Sequence, residues 1–188
     1  SFVLNQSVCF SELSWKYAAT YTGGALAAAA GLMKSESDVG ICWMGGQMHA
    51  RRDCASGFSY LNDVVLAILA LLRSDAEPDR RVLFVNLDAW HCSGVEEAFY
   101  TTDRVLCLSV HRHETGFFPG SGGAPDAGKE RGAGYNINLP VKDGLDDAGL
   151  TGLLPPVLPN PHPNPETPTL TRTGLTGLLP PALPNPYP

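Results

Sequence analysis

The chain has 188 residues, 44% of them hydrophobic, which is length enough for one domain with a buried core and gives no compositional case for two. A formal net charge of -6 and a pI near 5.2 exclude a basic stripe that could neutralise phosphates, so no direct contact with nucleic acid is expected. No apolar run reaches the roughly 18 residues a bilayer span needs, and the opening SFVLNQSVCF lacks the charged start of a signal peptide. The expectation is a protein of the nucleus or cytoplasm without membrane contact.

Cys9, Cys42, Cys54, Cys92 and Cys107 are odd in number, widely spaced and free of any CxxC pair. That pattern speaks against a disulfide framework or a cysteine zinc site and suits a reducing compartment.

In chain order, Trp15 to Met33 predicts a helix, with small residues that permit close helix packing. Val39 to Trp43 predicts a short apolar strand closed by Gly45 and Gly46. Gly57 to Arg73 has apolar residues at helical spacing and a basic residue in its last turn. Arg81 to Leu87 and Val105 to Val110 are apolar and β-rich, as strands buried on both faces should be. Glu96 and Glu97 suit the start of a helix between them. The alternation predicts an α/β fold: a partial open, mostly parallel sheet with helices on both faces.

Composition changes near Gly149, and twelve of the sixteen prolines lie between Thr151 and Pro188. GLTGLLPPVLPNPHP at Gly149 to Pro163 returns at Gly174 to Pro188 with a period of 25 residues, changed only at Val157/Ala182 and His162/Tyr187. Such a proline density forbids the packed helix or strand of a solenoid, so the domain is expected over residues 1–148 and a disordered or polyproline tail over 149–188. A ligand for proline-recognising domains and a low-complexity repeat are both compatible with it.

In open α/β sheets chemistry gathers at the carboxyl ends of strands, and there the polar clusters fall: GGQMHARRD, DAWHCSG and HRHETGFFPGSGG. The glycine-rich GSGGAPDAG lacks the GK[ST] ending of a phosphate loop. At these clusters the sequence resembles the zinc-dependent histone deacetylases, nearest to the class I type. GGQMHARRDCASGFSYLNDVVLAIL is similar to that family's GG-x-HHA…ASGF-x-Y-x-ND segment, VNLDAWHCSGVEEAFYTTDRV to its DxDxHHGDGVEEAFY segment, and HETGFFPGSG to its FPGTG loop.

The resemblance implies an arginase/deacetylase-like fold and a family activity of acetyl-lysine amide hydrolysis, with a zinc ion polarising the carbonyl and activating water. It implies acetylated histone or another protein lysine as substrate, corepressor subunits as further partners, and potassium as a second ion. It makes Asp88 the one retained zinc-ligand position, Trp90 standing where the family has the histidine ligand. Of the tandem histidines the first is Met48 and the second is His49, a residual general-base position. Their carboxylate partners are replaced by Asn86 and Ser93.

The same resemblance matches Phe58 and Phe118 to the aromatics beside the acetyl-lysine stem and Gly57 to the tunnel glycine. It puts the carbonyls of Phe99, Thr102, Val105 and Tyr135 at an outer potassium site, and Asp88 and Ser109 near an inner one. Val8 stands where the family has a rim aspartate. The expectation is hydrolysis lost or strongly impaired. Alternatives are an active deacetylase in full-length form and a non-catalytic acyl-lysine reader or corepressor subunit. Two weaker metal readings join Asp88, His91 and Cys92, or His111 and His113.

Overall fold

A computed structural model describes residues 11–73 and 78–153. The chain divides into two compact units, Ser1–Lys142 and Asp143–Pro188.

In the first unit, helix α1 (Glu12–Met33) starts earlier than its apolar pattern predicts because Ser11 caps it, accepting the Ser14 N–H at 3.1 Å. Such a cap is worth about 1 kcal/mol. The buried face of α1 carries Ala18, Tyr21, Thr22 and Ala29 and packs on helix α2 (Asp63–Leu72). Tyr21 pins the two together: its hydroxyl donates to the Leu61 carbonyl at 2.9 Å and accepts the Leu61 N–H at 2.8 Å.

The helix expected from Gly57 begins only at Asp63. Gly57 and Phe58 both take positive φ, +52° and +64°, so the chain turns there instead of entering a helix. Asn62 then caps α2 by accepting the Val65 N–H at 3.0 Å. Asp63, buried in the first turn, accepts the N–H groups of Gly46 at 3.0 Å and Gln47 at 2.7 Å, fixing the loop that leads to His49.

Strands β1 (Val82–Asn86), β2 (Val105–Arg112) and β3 (Asn136–Val141) form a parallel open sheet in the order β1-β2-β3. Helix α3 (Ser93–Phe99) lies in the crossover between β1 and β2. Ile68 of α2, Val95 and Phe99 of α3, and Val105 and Cys107 of β2 meet in one core with Met48 and Cys92. At about 25 cal/mol per Å² of apolar surface removed from water, these side chains are the main cohesive contribution to this part of the fold.

The α/β class and parallel sheet follow the predicted alternation, with one correction. Val39 to Trp43 is not a strand: no strand among the described residues pairs with it, and Val39, Ile41 and Trp43 are 73%, 70% and 92% exposed. An apolar run becomes a strand only where a neighbour takes up its backbone hydrogen bonds.

In the second unit helix α4 (Asp147–Leu153) runs through the composition change at Gly149. The first tail proline is Pro155, so nothing in this stretch forbids a helix. The repeats beyond Leu153, and Val8 at the other end, lie outside the described residues.

Candidate active site

The loops that follow 43, β1 and β2 converge, and their polar residues form two connected groups. In the first, His49 meets Phe118 edge-on, with ring centroids 4.9 Å apart and planes at 76°. Gly57 completes the contact: a Cβ built on it would lie 2.8 Å from both His49 Cδ2 and Phe118 Cζ, so only glycine fits. Phe58 is next in sequence but points to solvent at 88% exposure, and Phe118 is half-exposed. The structure thus brings together His49, Gly57 and Phe118 and leaves Phe58 apart from them.

His49 is buried, and its Nδ1 has no hydrogen-bond partner. Burial lowers its pKa; the charge of Asp88 acts in the opposite sense without prevailing. A neutral imidazole with an idle ring nitrogen can take up a proton from a substrate only weakly, since no carboxylate hydrogen-bonds the ring and the charge of Asp88 does not offset burial.

The β1 end is stitched by hydrogen bonds rather than opened as a site. Asn86 Nδ2 donates to the Trp90 carbonyl and to Ser109 Oγ, both at 2.9 Å. The exposed Asp88 accepts the Trp90 N–H at 3.3 Å. Trp90 is 46% exposed, and its indole offers an N–H but no lone pair for a metal. Met48 has joined the hydrophobic core, so apolar packing replaces a polar group at that position.

The second group surrounds His91 and His111, buried with ring centroids 4.6 Å apart. His91 bonds Ser121 Oγ through Nδ1 at 2.8 Å and Glu96 through Nε2 at 3.1 Å. His111 bonds Ser109 Oγ at 2.9 Å and the Gly122 carbonyl at 3.0 Å. Burial lowers the His111 pKa to about 4 and raises that of the Cys92 thiol to about 11. His91 and His111 are committed to other partners, Cys92 disfavours its thiolate, and among the described residues no group of three or more His, Cys, Asp or Glu could hold a metal ion.

The carbonyls that the resemblance assigns to an outer potassium site belong to the end of α3, the start of β2 and the residue before β3. Phe99 O accepts the Thr102 N–H at 3.2 Å, Tyr135 O accepts the Cys107 N–H at 2.9 Å, and Val105 begins β2 beside them. Each carbonyl keeps a second lone pair.

A family model described as the histone deacetylase domain matches residues 2–161. The chain belongs to the histone deacetylase family. It is 44% identical over 144 residues to histone deacetylase B of Dictyostelium discoideum, covering 77% of this chain and 33% of that protein. It is 45% identical over 137 residues to histone deacetylase 1 of Homo sapiens, covering 73% of this chain and 27% of the relative. With histone deacetylase 6 of Arabidopsis thaliana the identity is 46% over 136 residues, covering 72% and 28%. The chain therefore spans a third or less of the length of these relatives.

For a histone deacetylase, these residues do not fit a catalytic zinc, which needs three protein ligands and an open position. The Asp88 carboxylate accepts the backbone N–H of Trp90, whose indole has no lone pair to offer a metal. The bonds of His91 to Ser121 and Glu96 escaped the sequence reading, because residues 30 and 5 positions apart carry no local pattern.

Proposed function

We propose that this chain is a histone deacetylase-like protein in which hydrolysis of acetyl-lysine amides is lost or strongly impaired, while the apolar end of the substrate pocket is kept. The observation that carries this reading is the idle Nδ1 of buried His49. The residual general base at His49 lacks the carboxylate that would stabilise its cation, with Asn86 and Ser93 in the two partner positions. General acid–base assistance contributes roughly 10² to 10⁴ in rate, so its loss is severe on its own. Asp88 is then a vestigial metal position, and zinc binds weakly or not at all.

Gly57, Phe58 and Phe118 are the substrate-binding positions of this reading, and the carbonyls of Phe99, Thr102, Val105 and Tyr135 the outer potassium site. The ligand class is acetylated histone or another acetylated protein lysine, met in the nucleus or cytoplasm, with corepressor subunits as partners. A non-catalytic acyl-lysine reader is the second reading, favoured by the contact of His49 with Phe118 around Gly57.

The test is the full chain with one equivalent of zinc and an acetyl-lysine peptide. Deacetylation no faster than in buffer is expected, with zinc removed by a weak chelator. Stoichiometric zinc and steady turnover would restore the active reading. Acetylation-dependent peptide binding that is lost in Phe118→Ala would select the reader.

A further inference from the structure

The partly buried Ser121 sits in a constellation that the deacetylase reading does not use. Ser121 Oγ lies 2.8 Å from Nδ1 of His91, and Nε2 of the same ring lies 3.1 Å from Glu96 Oε2. An ionised carboxylate only accepts, so Nε2 carries the ring proton and the Nδ1 lone pair faces the hydroxyl. We infer that Ser121, His91 and Glu96 form a serine–histidine–carboxylate triad able to transfer small acyl groups from activated esters without a metal.

Three further observations support the assignment. The Glu96 carboxylate is nearly buried at 12% exposure and also accepts Asn136 Nδ2 at 2.6 Å and Asn138 Nδ2 at 2.8 Å. Burial pushes its pKa up, but the hydrogen bonds from His91, Asn138 and Asn136 outweigh burial and lower it, keeping the carboxylate charged. It can thus orient His91 and stabilise its cation, the service His49 lacks.

Gly122 follows the nucleophile with φ +87°, and a Cβ there would lie 2.6 Å from His91 Cδ2, so a glycine alone lets the backbone approach both imidazoles. Its N–H follows Ser121 in the chain, has no backbone acceptor among the described residues, and is the donor this assignment offers to the oxyanion of an acyl intermediate. His111, whose pKa burial lowers to about 4, stays neutral next to His91 and does not oppose a positive charge there.

The step balances within these groups. Ser121 Oγ attacks the ester carbonyl carbon as its proton passes to His91 Nδ1. The C–O bond to the leaving alcohol breaks, and the alkoxide takes that proton. Water, deprotonated by the same nitrogen, then hydrolyses the acyl-serine and restores the hydroxyl.

The test uses the full chain with excess chelator, which removes any metal-dependent hydrolysis and so separates failure here from failure of the deacetylase reading. A fluorophosphonate probe should label the tryptic peptide spanning residues 113–129, in which Ser121 is the one serine. Ser121→Ala should abolish that label, and Glu96→Gln should slow it by roughly 10- to 100-fold with the far-UV spectrum unchanged. A second measurement on the unaltered chain guards against misfolding: the labelling rate should level off as the pH rises instead of following hydroxide. An unlabelled peptide, equal labelling in 8 M urea (a fixed experimental condition of roughly full denaturation), or a rate simply proportional to hydroxide would overturn the triad.

Discussion

The ring of His49 stands 4.9 Å from that of Phe118, edge to face, over a glycine that leaves no room for a methyl group. Gly57→Ala must either move one ring or shift a backbone held at positive φ, a strain of roughly 1–3 kcal/mol. The variant should melt several degrees lower and lose the His49–Phe118 cross-peak in an aromatic NOE spectrum. An unchanged cross-peak would mean that the contact does not depend on the glycine.

Ser93→Asp returns a carboxylate to the position where the family motif has one. If the missing carboxylate is why His49 Nδ1 lies idle, the His49 pKa, lowered by burial in the present chain, should move up in the variant. NMR titration of the imidazole protons reads this directly. No movement would separate Ser93 from His49.

Asn86→Asp removes the two hydrogen bonds that Asn86 Nδ2 gives to the Trp90 carbonyl and Ser109 Oγ. A buried carboxylate would then face a carbonyl oxygen, at a cost of roughly 1–3 kcal/mol. Potassium should recover part of that loss by bridging the two oxygens, so it should raise the melting temperature of the variant more than that of the present chain. Melting curves in potassium chloride against choline chloride test it.

Acid should weaken the fold through His111. Its folded pKa of about 4 lies below the ordinary histidine value of 6.5, so the unfolded chain binds the proton first. This contribution to stability is fully present above pH 6.5 and is lost as the pH falls from 6.5 towards 4. At pH 5 the loss amounts to about 2 kcal/mol, which lowers the melting temperature by on the order of 5 °C. A melting temperature flat from pH 7.5 to 5 would contradict the burial of this imidazole (the limits are roughly those of histidine titration).

How much of this was legible depended on whether a residue's partner is local. β1 and β2 announce themselves as apolar β-branched runs. β3 does not, because Asn136, Asn138 and Pro140 interrupt its pattern; the two asparagines belong there because they donate to Glu96, 40 and 42 residues away. Val39 to Trp43 erred in the other direction, with strand composition and no strand beside it. The meeting of His49, Gly57 and Phe118 could be read only through family resemblance, and the bonds of His91 to Ser121 and Glu96 not at all, since the fold alone brings them together.

The exposed run from Val39 to Trp43 bears on what happens to the polypeptide in a cell. Within it, Gly40 and Cys42 help line an apolar groove of about 250 Å³ with Val82, Leu83 and Phe84 of β1, and Leu83 is 44% exposed. A sticky edge of this kind recruits holdase chaperones and invites proteolytic clearance when nothing covers it.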